Sequence, residues 1–176
     1  MLRGAMRPLY FEQVRIYRHS YQQPETSVAW RVTTNSSEQL PNYISVAFQM
    51  QAMYGDQEKN SVVFDAGTLS CISCWINSTQ FPHRELEVSF AAASRNYGRA
   101  YVMLQEPVSK QNDTDSGSQV YVEDNASPFP IFAFYVSHHK ERLRGGSANI
   151  EIRWSLSANF CRHYNAYALV SRYTFN

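Results

Sequence analysis

The sequence has 176 residues, of which 44% are hydrophobic, 14% aromatic and only 18% charged. The 16 Lys and Arg residues nearly balance the 15 Asp and Glu residues, for a net charge of +1, which argues against a polybasic nucleic-acid-binding protein and against an acidic disordered chain. No apolar run approaches the ~18 residues of a membrane span, and the N-terminal segment lacks the apolar stretch of a signal peptide. We therefore expect one domain over residues 1–176 that is cytosolic or nuclear at synthesis.

Apolar and polar residues alternate with period two in much of the chain, which predicts about eight strands. In chain order the segments read FEQVRIYR, SVAWRVTT, NYISVAFQM, LSCISCWIN, ELEVSF, PIFAFYVS, SANIEIRWSLSA and NAYALVSRY. Turn signals built on Gly and Pro separate them. The alternating residues that we expect to be buried between two sheets are Ile44, Val46, Phe48, Ile150, Ile152, Trp154 and Leu156.

Eight strands with long connections predict an all-β fold, an eight-stranded antiparallel jelly-roll β-sandwich with at most short helices in its loops. An immunoglobulin sandwich is the alternative, but its Cys–Trp–Cys spacing is absent. No segment has the pattern of a long amphipathic helix. The polar stretch over about residues 108–127 shows no periodicity and is predicted to be a long exposed loop.

Three cysteines form an odd set, too small for a disulfide framework and typical of a reducing compartment. Cys71 and Cys74 make a C-x-x-C, and Cys161 with His163 would complete a four-ligand zinc site. Residues three apart in a strand point to opposite faces, so the first two thiols do not converge on one ion. We predict buried free cysteines and no metal site.

The remaining candidate sites each have a simpler interpretation. The basic cluster His138–Arg144 suits a solvated loop as well as phosphate contact, and nucleic-acid binding is the less favoured interpretation. The acidic segment Asp113–Asp124 lacks the ligand spacing of a calcium loop. His19 and His83 stand alone and are expected to be structural. Because no nucleophile, phosphate-binding or dinucleotide motif occurs, we predict no catalytic residue, no cofactor and no enzyme activity.

The order of several short motifs resembles that of a known family over most of the chain, from about Arg15 to Tyr173. In this order and spacing they resemble the C-terminal jelly roll of the double-jelly-roll capsid-like proteins, which are encoded by eukaryotic DNA viruses and by virus-derived elements of the Polinton and adintovirus kind. The motifs are Phe48-Gln49, Phe64-Asp65, Asn77 ahead of Phe81-Pro82, Arg99-Ala100-Tyr101, and a Pro130-Ile131-Phe132 strand that closes in Val136-Ser137 and Glu141-Arg142-Leu143.

The resemblance implies a viral capsid protein that acts by assembly within a pseudo-hexameric capsomer, in the virion. Its partners would be other capsid subunits or a second jelly roll, since this length accommodates only one roll. The sequence departs from the family at Tyr135, where an acidic residue is usual. The long polar loop is the expected outward or inter-subunit projection.

Two other functions suit the same fold. A carbohydrate-binding, lectin-like jelly roll would use exposed aromatic and amide side chains on one sheet face, and Trp75, Tyr43 and Asn77 are the candidates. A cupin-like metalloenzyme would need clustered His and Glu ligands inside the barrel. For that site the chain offers only the doubtful set of cysteines and His163.

Overall fold

The computed structural model describes residues 10–21, 25–32, 40–53, 58–60, 63–112, 120–127, 129–137, 149–158 and 163–175. Within these residues the chain forms eight strands, one short 3-10 turn and two α-helices. The strands are β1 (Tyr10–Tyr21), β2 (Ser27–Val32), β3 (Tyr43–Met50), β4 (Leu69–Ile76), β5 (Thr79–Glu87), β6 (Ile131–Tyr135), β7 (Ile150–Leu156) and β8 (Tyr164–Phe175). The 3-10 turn is Gln51–Met53, and the helices are α1 (Gly98–Asn112) and α2 (Val122–Ala126).

The strands form two antiparallel sheets. Sheet A has the order β1-β8-β3-β6 and sheet B the order β2-β7-β4-β5. The first strand lies beside the last, the second beside the seventh, and the fourth beside the fifth. The chain therefore doubles back on itself, and the resulting ribbon wraps across both sheets. This is the jelly roll predicted from the alternating segments.

The core lies between the two sheets, where one row of side chains from each strand points inward. All seven core residues predicted from period-two alternation are buried, and Trp154 is only 2% exposed. Its indole meets the ring of Phe48 at a centroid distance of 5.3 Å in a T-shaped contact, so the sheets are joined by aromatic packing. The prediction of an inter-sheet core is confirmed.

Strand β5 differs from the sequence prediction. It begins at Thr79 instead of Glu85, because Phe81-Pro82 lies within the strand as a cis peptide and does not end it. Strands β4 and β5 are joined by a two-residue turn in which Asn77 has φ 48° and Ser78 has φ 70°. Two successive residues with positive φ are what a tight hairpin between right-twisted strands requires.

Helix α1 is the largest departure from the sequence prediction. The expected loop over residues 108–127 is corrected at both ends, because α1 runs to Asn112 and α2 occupies Val122–Ala126. Residues 113–119 lie outside the described residues. The prediction missed α1 because its sequence lacks a clear amphipathic pattern, and Pro107, which lacks a backbone N–H and is unusual inside a helix, lies within it. The helix packs against β6, with Ala100 and Leu104 buried one turn apart.

Candidate assembly surface

The face of sheet A that points away from sheet B is named here the outer face of sheet A. The inward residues of β1 lie beside buried residues of β8, with Arg15 opposite Val170 and Tyr17 opposite Ala168. Alternation then places Val14 and Ile16 on the outer face, where they are 46% and 69% exposed. They are two of the large apolar side chains that the described residues expose to solvent.

An apolar groove of about 470 Å³ crosses this outer face next to Ile16. It is open to solvent and extends over all four strands. Such a volume is in the range of small-molecule sites, but a site for a small ligand is normally enclosed and supplied with convergent polar groups. Its lining includes the apolar and aromatic side chains of Ile16, Ala47, Phe64, Ile131, Tyr167 and Leu169.

Polar side chains in the groove and beside it form hydrogen bonds with one another. The Tyr167 hydroxyl donates to Oε1 of Gln49 at 3.2 Å, and the Ser20 hydroxyl donates to Oδ1 of Asn165 at 2.9 Å. Both amide side chains are buried, Gln49 at 4% and Asn165 at 2% exposure. These hydrogen bonds fix the polar side chains in place and use their polar atoms within the chain. The surface of the groove that remains for a partner is therefore mainly apolar.

Charged side chains flank the exposed apolar pair on β1. The outward row reads Glu12, Val14, Ile16 and Arg18, and both charged residues are exposed. The Ser171 hydroxyl donates to Oε1 of Glu12, which holds that carboxylate over the sheet. The outer face thus has an apolar centre with a negative end and a positive end.

The opposite side of the sandwich, the outer face of sheet B, has a small notch of about 120 Å³ around Trp75. The guanidinium carbon of Arg153 lies 4.1 Å from the centroid of the Trp75 ring, and Nε of Arg153 donates to Oε1 of Glu151 at 2.5 Å. The cation covers one face of the indole, which is the surface that a sugar ring would stack on.

The residues considered for carbohydrate binding are not brought together. Tyr43 lies on the outer face of sheet A, and Trp75 lies on the outer face of sheet B. Asn77 closes the β4–β5 turn, where its Oδ1 accepts a hydrogen bond from the backbone N–H of Asn149 at 2.9 Å. The prediction that these three residues form one glycan site is therefore wrong.

The two cysteines of the C-x-x-C point to opposite sides of β4. Cys74 is fully buried in the core, and burial raises the pKa of its thiol to about 12. Cys71 is half-buried on the other face, where burial also raises its thiol pKa. Cys161 lies outside the described residues, and His163 is exposed. Among the residues that the structure describes, no three His, Cys, Asp or Glu side chains cluster as metal ligands would.

Residues of the short motifs quoted from the sequence form hydrogen bonds between segments that are distant in the chain. Asp65 accepts a hydrogen bond from the Tyr164 hydroxyl at 2.8 Å through Oδ2. Arg99 donates to the backbone carbonyl of Glu85 at 3.3 Å and so ties α1 to β5. The Tyr101 hydroxyl donates to the carbonyl of Val120 at 3.2 Å. These contacts give the motifs a role in holding the fold together.

The comparison with family models decides the relationship. The model of the double jelly roll-like domain matches residues 1–173. The chain belongs to the double jelly roll-like family. The resemblance to double-jelly-roll capsid-like proteins seen in the sequence is confirmed. None of the curated proteins compared with the chain matches it.

Several candidate sites predicted from the sequence of this double jelly roll-like chain lie outside the described residues. The basic cluster His138–Arg144 lies outside the described residues, and so does the acidic stretch 113–119. Glu123 and Asp124 lie in the first turn of α2. In the described part of the chain, neither helix has the length and apolarity needed to cross a bilayer. Sequence reasoning missed the groove because its lining becomes continuous only when four strands separated in sequence lie side by side.

Proposed function

We propose that this chain is a capsid structural protein of the virion that acts by assembly and not by catalysis. One observation carries the proposal: a double jelly roll-like family match over residues 1–173 falls on a chain whose strands have the jelly-roll pairing order. In a double-roll capsomer, rolls stand side by side and bury their flanks. The exposed apolar centre of sheet A is the kind of surface that such packing needs.

We further propose that residues 1–176 form one roll and that a second roll or other capsid subunits cover its sides. A capsomer of the double-roll kind contains pairs of rolls, and the strands described here make one. The low charge and the high aromatic content support this proposal, because interface cores are depleted of Lys and Glu and enriched in Tyr, Phe and Trp. We expect synthesis in the host cytoplasm and incorporation into the shell.

Light scattering of the purified chain at low and high salt tests the proposal. We expect particles well above the 20.3 kDa of one chain at both salt concentrations, because buried apolar area is not screened by ions as charge pairs are. A monomer at high protein concentration contradicts the proposal. In that case binding of the chain to a glycan array would support the lectin-like alternative.

A further inference from the structure

We infer that a recess on the outer face of sheet B binds a carboxylate side chain of a partner protein. The recess, named here the Trp75 notch, has a volume of about 120 Å³, and its lining includes Arg31, Trp75, Ser78, Asn149, Glu151 and Arg153. The ligand is an acidic peptide segment. The site goes beyond the proposed assembly function and does not depend on it.

Strand pairing places four side chains of the notch beside one another. Glu151 of β7 lies opposite Arg31 of β2 on one side and opposite Trp75 of β4 on the other side. Arg153 follows two residues later in β7 and therefore lies on the same face as Glu151. Ile152, which alternates with them, is buried between the sheets. The charged pair of β7 thus points outward, between a second arginine and an indole ring.

Two contacts hold Arg153 in a fixed orientation. Its guanidinium carbon lies 4.1 Å from the centroid of the Trp75 ring, and its Nε donates to Oε1 of Glu151. The side chain is nevertheless 45% exposed, so the remaining N–H donors of the guanidinium are accessible to a ligand. A donor whose orientation is already fixed loses less conformational entropy on binding than a mobile one.

Arg31 supplies a second cation to the notch. It is exposed and lies opposite Glu151 in the strand register, yet no hydrogen bond or ion pair joins its guanidinium to a residue that the structure describes. The carboxylate of Glu151 is bonded to Arg153 instead. Two arginines and one glutamate leave the notch with a formal charge of +1, which attracts a ligand with one negative charge.

The volume of the notch fits the end of an acidic side chain. The space of about 120 Å³ equals roughly four water molecules at about 30 Å³ each. A carboxylate with the methylene that carries it has a similar size. The two oxygens of a planar carboxylate match the donor fork of a guanidinium, and the indole of Trp75 offers an apolar contact to the methylene.

A nucleic-acid strand is a less suitable ligand, although its phosphates are also anions. Glu87 of β5 pairs with Cys71 on the same outer face of sheet B, and the Glu85 side chain forms a hydrogen bond with that cysteine. Both carboxylates are exposed. They repel a chain of successive phosphates that crosses this face, whereas a single carboxylate enters the notch without meeting them.

Ligand-observed saturation-transfer NMR on the full chain tests the site, because this method detects weak binding to particles of any size. The probe is a blocked glycine–aspartate–glycine peptide, and its matched control is the same peptide with asparagine. We expect saturable transfer to the aspartate methylene protons with a Kd of about 1–10 mM, since contacts to two arginines carry the binding. The asparagine peptide should give no saturable transfer.

Three variants assign the binding to the notch. Arg31→Gln should raise the Kd at least about fivefold, and Arg31→Lys, which keeps the charge without the planar fork, should recover part of that loss. The matched control, Arg95→Gln, removes an exposed arginine from the connection between β5 and α1 and should leave the Kd unchanged. Near-ultraviolet circular dichroism establishes that each variant keeps the wild-type core.

Equal transfer to the two peptides, or an equal Kd in the wild type and Arg31→Gln, overturns the carboxylate site. A thymidine hexanucleotide that binds more tightly than the aspartate peptide, and loses this affinity in Arg31→Gln, overturns it in favour of nucleic acid. Light scattering reports the assembly function separately. Failure of the peptide to bind therefore leaves the assembly function standing, and a monomeric chain that binds the peptide overturns the assembly function alone.

Discussion

The imidazole ring of His19 lies stacked on the indole ring of Trp30, with 5.4 Å between the ring centroids and 21° between the planes. His19 comes from β1 of sheet A and Trp30 from β2 of sheet B, so the pair closes one side of the sandwich. A second contact at 6.2 Å brings His19 edge-on to Trp154. The prediction that His19 has a structural role agrees with this placement. Burial lowers its pKa below the ordinary value of 6.5 because the charged ring loses water.

The lowered pKa of His19 predicts a loss of stability in mild acid. The unfolded chain binds a proton at His19 more readily than the folded chain does. The stability that the neutral His19 ring contributes to the fold is therefore complete above pH 6.5 and declines as the pH falls below that value. We expect the free energy of unfolding to fall less steeply with acidification in His19→Gln than in the wild type. His83→Gln, at an exposed position, is the control. Equal slopes for His19→Gln and the wild type would contradict the assignment.

Trp154 is predicted to be the most costly single truncation in the core. Its side chain is 2% exposed and packs against Phe48. We expect Trp154→Ala to lower the free energy of unfolding by roughly 3–5 kcal/mol, a large part of the roughly 5–15 kcal/mol that stabilises an ordinary domain. Trp75→Ala on the outer face of sheet B is the matched control and should cost about 1 kcal/mol or less. Chemical denaturation measures both, and a cooperative transition of wild-type stability in Trp154→Ala would rule out the assigned core.

Cys74 is predicted to stay a neutral, unreactive thiol in the folded protein. Its pKa of about 12 lies well above the ordinary value of 9.0. The unfolded chain therefore loses this proton first, and the stability due to Cys74 is lost as the pH rises above 9.0. In a Cys161→Ser background, we expect a thiol reagent to modify Cys71 before Cys74, which should react only on unfolding.

Intact mass and metal analysis extend the test of these thiols. We expect neither stoichiometric zinc nor a disulfide between Cys71 and Cys74, since the two side chains leave opposite faces of β4. A loss of two daltons under non-reducing conditions, or one zinc per chain, would overturn this expectation. Rapid modification of Cys74 in the native protein would do so as well.

The alternating segments and the core were predictable because a half-buried strand imposes period two on its own sequence. Ile150, Ile152 and Trp154 show this directly, as all three are buried. Elements containing proline were not predictable in the same way. Pro82 lies within β5 and Pro107 lies within α1. The prediction started β5 too late and did not include α1. In each case tertiary packing outweighs the local preference of one residue.

The interaction surface was beyond sequence reasoning for a different reason. An exposed apolar flank was expected from composition, but the groove joins Ile16, Ala47, Ile131 and Leu169 from four strands. Their proximity depends on the pairing order of sheet A, which alternation does not encode. The proposed glycan residues failed for the same reason, because Tyr43 and Trp75 have similar surroundings in sequence and lie on opposite sheets.

Electron microscopy of the purified chain tests the capsid function most directly. We expect regular assemblies, either closed shells or flat arrays of ring-shaped capsomers, that persist at about 1 M salt, where ionic contacts are screened within about 3 Å. The Trp154→Ala variant, whose core is disrupted, should form none. Fields of separate 20.3 kDa particles at high protein concentration, with no ring or shell, would contradict the proposed function.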